Sequence, residues 1–522
     1  MAQLFVNDRR APGAEGHTLF DAAEAIAIAV PTSCVKQGKC RECLLEIEEG
    51  EEWLSPPTSE ESHLPARFRL ACRSRLIGEG TVRCHTMRRG AMRVVDDASG
   101  LPDLTFNLDP AVSYGYGVAL DLGTTTVAMR LYDLQTGALR ATQAFENPQR
   151  FGGSDVMARI HYDTHHRGRL LQRTFLGYLG RAIEAFPVPA DEIREVVVAA
   201  NTTMRDLFFG LPVESIGQKP YRSVTEHEYL KGQRSSTAIE AEARKLRLPL
   251  HPEARVYGLP LIGSHVGADA AASLLATRMF DAAGVHVLMD IGTNSEIVAA
   301  YRGRMVAASC PAGPAFEGGG VRAGMPALEG AIESVVMKDD GSFRTNTIGG
   351  GPAQGICGSG LVHLLGELLR TGRMNAQGRF SDEVGTIVLK EGRITFSESD
   401  VNELAQAKGA NVAGLQIVRD VLGFDFPEVE RFYLAGGFAK HLNLDAARRI
   451  GLVPPLRDDR LVLVGNAALE GASLALLSRS LRGTLEDLVS HVEHIELETH
   501  ERFFDFFVEG CQFVPIGAEV FP

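Results

Sequence analysis

Cys34, Cys40, Cys43 and Cys72 crowd the start of a chain that holds only eight cysteines in 522 residues. Their spacing, C-x5-C-x2-C and then a distant fourth, constrains the fold more than any other feature. Three thiolates in one loop and a fourth from a separate segment can wrap a small inorganic centre from several sides. The chain must then double back beside that loop. The residues between Cys34 and Cys43 are polar, and Gly38 is available for a left-handed bend. Such a loop can present backbone N–H groups to sulfur, which stabilises a reduced iron–sulfur cluster. The first reading is therefore a carrier of single electrons.

Plant-type [2Fe–2S] ferredoxins use C-x4-C-x2-C and a distant fourth cysteine, so the first gap here is one residue longer. A zinc site also takes four cysteines, usually as two C-x2-C knuckles, and only Cys40 and Cys43 make such a pair. Zinc stays as the alternative metal, and Cys84 as the alternative to Cys72. Met1–Arg10 lacks a basic start followed by an apolar core, so no signal peptide is expected and the location is read as cytoplasmic. Clustered cysteines in that setting favour metal over disulfide. Cys310, Cys357 and Cys511 read as small buried residues. No run reaches the about 18–20 apolar residues of a membrane span, so no membrane partner is expected. A net charge of −13 repels phosphates and disfavours nucleic acid.

Residues 1–88 form the first unit. Leu4–Val6, Leu44–Glu48 and Arg69–Cys72 read as strands, and Thr18 as the cap of a helix running to Ile28. Strands around one helix, with the cysteine loop at an edge, are what a ferredoxin β-grasp requires. Residues 89–114 lose this periodicity and read as a linker. From about Gly115 onward, apolar strands alternate with helices, so the remainder is α/β. Strands are expected at Gly117–Leu122, Glu195–Ala200, His286–Ile291 and Arg431–Ala435. Helices are expected from Asp155, over Ala268–Met279, over Gly360–Leu369 and over Val401–Val421.

Two of those strands end alike. Val118–Thr126 and Val287–Ser295 each run from apolar residues through Asp and one further apolar residue into Gly-Thr. Gly gives a ligand access to the backbone, Thr offers a hydroxyl and an N–H to phosphate oxygens, and Asp can hold hydrated Mg²⁺. One such turn is weak, but the duplication suggests two related halves gripping a triphosphate across a shared cleft. Leu434–Ala439 adds an apolar strand ending in a Gly pair, suited to lying against adenine. No Walker-type loop is present, and Gly318–Ala323 matches a dinucleotide fingerprint only loosely, without a strand before it.

The two phosphate turns and the Ala-Gly-Gly turn resemble the acetate and sugar kinase/Hsc70/actin superfamily over roughly residues 115–480. A C-x5-C-x2-C ferredoxin domain joined to such an ATPase resembles the reductive activators of corrinoid-dependent enzymes, nearly end to end. Asn147-Pro148-Gln149, Asn201–Met204, Gly313–Gly319 and Ile356–Gly360 also look like that family. The resemblance implies an N-terminal β-grasp ferredoxin-like domain followed by a two-lobed ASKHA ATPase, with lobes at 115–283 and 284–522. Because the linker is short, an extra middle domain seen in larger members is not expected.

By that resemblance, Cys34, Cys40, Cys43 and Cys72 ligate a [2Fe–2S] cluster. Asp121, Gly123, Thr124 and Thr125 form the first phosphate turn, and Asp290, Gly292, Thr293 and Asn294 the second. Gly436 and Gly437 form the adenosine turn. Ser359 and Gly360 are candidates for the cleft, or else a helix start. Asp155 and Glu317 are candidates to position the attacking water, or else caps. The implied activity is ATP- and Mg²⁺-dependent transfer of one electron to the Co(II) corrinoid of a methyltransferase system. The implied partners are that corrinoid protein, an upstream electron-donor protein and a second copy of the chain. The alternative class is a small-molecule kinase with a fused ferredoxin as redox sensor.

Overall fold

A computed structural model describes residues 3–28, 30–32, 34, 36–87, 101, 107–338, 340–381, 385–390, 394–437 and 439–517. The linker reading at 89–114 falls largely outside the described residues.

The N-terminal part is a five-stranded mixed sheet. Its elements are β1 (Gln3–Val6), β2 (Arg9–Ala11), α1 (Leu19–Ala25), β3 (Leu44–Glu49), β4 (Phe68–Leu70) and β5 (Thr81–Thr86), in the sheet order β2-β1-β5-β3-β4. Thr18 and Asp21 cap α1 reciprocally. The helix ends at Ala25, short of Ile28, because Ala27 turns to φ 56°. The strand read at Arg69–Cys72 stops at Leu70, where Ala71 N–H turns to donate to the Cys43 carbonyl at 2.7 Å. Arg69 and Glu61, both fully buried, pair at 2.9 Å behind this turn.

Next comes a six-stranded sheet in the order β10-β11-β9-β6-β7-β8. It comprises β6 (Tyr116–Leu122), β7 (Thr126–Asp133), β8 (Leu139–Glu146), β9 (Ile193–Ala200), β10 (Ile239–Glu242) and β11 (Arg255–Gly258). Helices α2 (Val156–His165), α3 (Leu170–Glu184), α4 (Thr202–Phe209) and α5 (Val224–Leu230) accompany it. This lobe and the ferredoxin-like part lie in one compact unit and share one hydrophobic cluster. The N-terminal part therefore packs as an annex of the first lobe.

The second compact unit takes in Leu259–Pro522. Its main sheet, β21-β20-β12-β13-β14-β22, also has six strands. It contains β12 (Val285–Asp290), β13 (Ser295–Tyr301), β14 (Arg304–Cys310), β20 (Val429–Ala435), β21 (Leu461–Leu463) and β22 (Val492–Ile495). Two small sheets, β15 to β17 (Ala331–Met337, Phe343–Thr347, Gly355–Ile356) and β18 with β19 (Thr386–Lys390, Ile394–Ser397), flank it. The helices are α6 (Ala268–Thr277), α7 (Gly358–Arg370), α8 (Glu398–Leu422), α9 (Leu444–Arg449), α10 (Ala467–Leu477), α11 (Arg479–Val489) and α12 (Phe503–Gly510). Helix α6 packs on α10, where Gly471 lets the Ala272 carbonyl approach to 1.9 Å of where a Cβ would stand.

The sequence echo reappears as topology. In each lobe, the strand that carries the Asp opens an antiparallel three-strand meander, β6-β7-β8 or β12-β13-β14. On its other side it runs parallel to β9 or β20. Among the described residues no helix is long and apolar enough to cross a membrane.

Candidate functional site

The four cysteines come together as two pairs. Cys34 and Cys40 Sγ lie 3.2 Å apart, and Cys43 and Cys72 Sγ lie 3.4 Å apart. The β3–β4 register makes the second pair: Leu44 faces Leu70, which brings the residues beyond each strand end side by side. The first pair is closed by a turn in which Gln37 N–H donates to the Cys34 carbonyl at 3.2 Å. Gly38 (φ 75°) is needed there, since a Cβ would strike the Arg73 guanidinium, which donates to the Gln37 carbonyl at 2.6 Å. Thr32 Oγ1 sits 4.0 and 3.8 Å from the Cys34 and Cys40 sulfurs.

Cys34 and Cys72 favour the thiolate, whereas Cys43, which donates to Cys72 and is buried, is held far above the usual thiol range. Cys72 is lowered to about 7 by its bond from Cys43, with further help from the Gly38 N–H and Arg73, although burial opposes this. Burial would raise Cys34, but the Cys40 and Gln37 N–H groups and Thr32 more than offset it. Among the described residues, no group of three or more His, Cys, Asp or Glu side chains converges on a single metal position. Two pairs suit two irons taking two thiolates each better than one zinc taking four. Cys84 stands apart: it is buried in β5, its thiol directed at the Phe5 carbonyl at 3.6 Å, and burial pushes it up to about 12.

The first Asp-x-Gly-Thr turn joins β6 to β7. Asp121 is half-buried near the end of β6, and Gly123 N–H closes the turn onto the Thr126 carbonyl at 3.0 Å. Three residues from elsewhere hold the turn. Asn147 donates to the Gly123 carbonyl at 2.8 Å through its side chain and to the Thr125 carbonyl at 2.7 Å through its N–H. Asn201, the cap of α4, donates to Thr124 Oγ1 at 3.0 Å. Arg159, buried on α2, donates to the Thr124 carbonyl at 2.7 Å and the Gly153 carbonyl at 3.1 Å. Asp155 caps α2 by accepting from Ala158 N–H at 2.8 Å.

The second turn joins β12 to β13, with Asp290 and Asn294 half-buried and Thr293 buried. Gly292 stands in the approach position, where a Cβ would come to 3.3 Å of the Asn294 carbonyl. Thr293 donates to Glu317, which places that carboxylate at the turn. Asp290 faces Glu296 across the β12–β13 ladder. Burial first, then the charges of Asp269 and Asp290, hold Glu296 well above the usual carboxylate range. Burial pushes Asp269, on the first turn of α6, up to about 6.

Gly436 and Gly437 follow β20. Gly436 (φ 115°) packs on the second turn, since a Cβ there would lie 2.2 Å from the Ile291 carbonyl. At Gly437 a Cβ would meet nothing within 4 Å among the described residues, so on that side this glycine borders open space. The Phe438 beside it lies outside the described residues. Ser359 and Gly360 sit in the buried start of α7. Ser359 Oγ lies 3.3 Å from Cys357 Sγ, and a Cβ on Gly360 would strike the Ile332 carbonyl at 2.2 Å. Close packing requires glycine at 360, and Ser359 is buried beside Cys357.

Arg159, Asp269 and Glu296 went unread in the sequence. An arginine on an amphipathic helix reads as solvated, and its acceptors here are the Gly153 carbonyl just before the helix and the Thr124 carbonyl of a distant turn. Asn147 and Asn201 lie in segments that resemble the family, but their bonds to the turn become visible only in the fold.

Residues 116–282 match the family model described as the RACo middle region, and residues 284–522 match the C-terminal domain of RACo, the ASKHA domain. Residues 5–76 match the 2Fe-2S iron-sulfur cluster binding domain. The chain belongs to the family of reductive activators of corrinoid proteins. The family's middle region takes in the first lobe and runs on through α6 of the second unit. The chain is 29% identical to corrinoid activation enzyme RamQ of Eubacterium limosum, over 76% of this chain and 70% of that one. It is 24% identical to a [Co(II) methylated amine-specific corrinoid protein] reductase of Methanosarcina barkeri, over 75% of this chain and 76% of that one. A solved reductive activator for corrinoid, iron-sulfur protein aligns over 100% of both chains at 25% identity and a TM-score of 0.71.

Proposed function

We propose that this protein restores inactive Co(II) corrinoid, bound to a methyltransferase-system protein, to Co(I) by giving it one electron, in a cycle driven by ATP hydrolysis. The observation that carries this reading is the union in one chain of two thiolate pairs with two nucleotide-type turns. Relatives named for corrinoid activation and for Co(II) corrinoid protein reduction support it.

Cys34, Cys40, Cys43 and Cys72 would hold the [2Fe–2S] cluster, whose chemistry is the passage of single electrons. The N–H groups of Gln37, Gly38 and Cys40 face the sulfurs and stabilise added negative charge there. Asp121 and Asp290 offer hard oxygen donors for hydrated Mg²⁺. Thr124 and Thr125, with Thr293 and Asn294, offer N–H groups to phosphate oxygens beside Gly123 and Gly292. Gly437 leaves room for the adenine face. Glu317, tied to Thr293, is better placed than the α2 cap Asp155 to orient the attacking water. ATP turnover then shifts the balance between conformations, and only a partner bound differently by those conformations can feel it. An upstream protein supplies the electron that Co(II) receives.

The test is the ATPase rate of the reduced protein with its corrinoid partner poised as Co(II), as Co(I) or as methyl-Co(III). Stimulation by the Co(II) form alone is expected. Equal rates with all forms, or phosphorylation of a small metabolite, would overturn the reading in favour of the kinase.

A further inference from the structure

The segment that buttresses the first phosphate turn also grips the ferredoxin-like part. Asn147 ties the start of the short helical turn Pro148–Gly152 to the Gly123 and Thr125 carbonyls. Arg159 ties its end to the same turn by bonding both the Gly153 and the Thr124 carbonyls. Between these anchors stands Arg150. Its guanidinium pairs with Glu46 of β3 at 2.8 Å and reaches the Thr86 carbonyl of β5 at 3.4 Å. Further along, Arg173 of α3 donates to the Cys40 carbonyl in the cysteine loop at 3.0 Å and pairs with Glu42 at 3.4 Å.

We propose that Arg150 and Arg173 form a nucleotide-sensitive clasp, holding the cysteine loop on the first lobe and loosening when Mg-ATP occupies the Gly123–Thr125 turn. This rests on the phosphate-turn reading above. The direction follows from the geometry. A 2.8 Å ion pair cannot shorten usefully, so any displacement of the Asn147–Gly153 segment weakens it. The docked face is also imperfect. Among the described residues Tyr162 OH of α2, which feels the charge of Arg41 in the cysteine loop, is buried without a hydrogen-bond partner, and loosening lets it hydrate. Coupling is reciprocal: if ATP loosens the clasp, then weakening the clasp tightens ATP binding by the same factor.

The experiment uses the full chain with Mg-AMP-PNP, a slowly hydrolysed analogue. Glu46→Gln lies outside the nucleotide site, and Arg173→Ala removes the second grip independently. Each is expected to bind the analogue about five-fold or more tightly than wild type. In the wild type the analogue should speed amide hydrogen exchange in residues 40–49 and 81–86. Wild-type affinity in both variants, with unchanged exchange while Asp121→Ala still abolishes binding, overturns the clasp and leaves the phosphate turn standing. Binding that survives Asp121→Ala removes both.

Discussion

Gly436 and Gly437 are neighbours with opposite duties, and alanine separates them. At Gly436 a Cβ would stand 2.2 Å from the Ile291 carbonyl, about 1 Å inside the 3.4 Å at which ordinary contact begins. The backbone there also has φ 115°, which costs a side-chain-bearing residue about 1–3 kcal/mol. Overpacking adds about 1–3 kcal/mol more. Gly436→Ala should thus destabilise the second unit by about 2–6 kcal/mol, a fall in Tm of roughly 4–20 °C for a body of this size. The Ile291 carbonyl leads directly into Gly292, so a shift of about 1 Å displaces the second turn and should slow ATP hydrolysis about 100-fold. At Gly437 the added methyl meets no atom of the described residues within 4 Å. Gly437→Ala should keep the wild-type Tm and yet weaken ATP binding about ten-fold or more, because the methyl occupies the adenine's place. Thermal unfolding followed by circular dichroism, together with nucleotide titration, reads both. A stable Gly436→Ala refutes the packing argument. A Gly437→Ala protein that binds ATP normally refutes the adenosine assignment.

Cys40→Ser or Cys72→Ser should abolish the visible absorbance and lower iron below two per chain, while Cys84→Ser keeps both. Absorbance that survives Cys72→Ser but is lost in Cys84→Ser would exchange the fourth ligand. Asp121→Ala and Asp290→Ala should each lower Mg-ATP hydrolysis by about ten-fold to several orders of magnitude without bleaching the chromophore; undiminished rates in both would remove the nucleotide site. The buried Glu61 should make the ferredoxin-like part acid-labile. Burial alone would raise its pKa, but Arg69 and the Thr58 and Leu70 N–H groups lower it overall. A depressed folded pKa contributes stability that is present above the unfolded value near about 4.3 and is lost as pH falls through the folded one. Glu61→Gln should abolish that acid transition. It should also cost about 3–5 kcal/mol at neutral pH by leaving Arg69 buried without its partner charge, which urea unfolding measures.

The parts legible in the sequence were those encoded locally. An apolar strand ending in Asp-x-Gly-Thr announces both its end and its chemistry, and its repetition announced the duplicated sheets. The helix read at Val401–Val421 extends to Glu398–Leu422 because Ser397 and Asp400 supply a capping box upstream. What stayed hidden depends on distant pairing. Nothing near Cys72 says that β3–β4 register will set it beside Cys43. Glu296 reads as a surface charge on a strand until the ladder places it opposite Asp290. The packing of the ferredoxin-like part on the first lobe through Arg150 and Arg173 likewise has no local signature, and a free-standing N-terminal unit was the natural expectation.

The central claim is tested most directly by watching cobalt. The reduced protein is mixed anaerobically with a corrinoid protein poised as Co(II), and the Co(II) and Co(I) absorption bands are followed with and without Mg-ATP. The account predicts loss of Co(II) matched by gain of Co(I) only when ATP is present, no reaction with Cys40→Ser, and at most one turnover with Asp290→Ala. Cobalt that stays Co(II) with ATP present, or reaches Co(I) equally well in the Cys40→Ser protein, would contradict it.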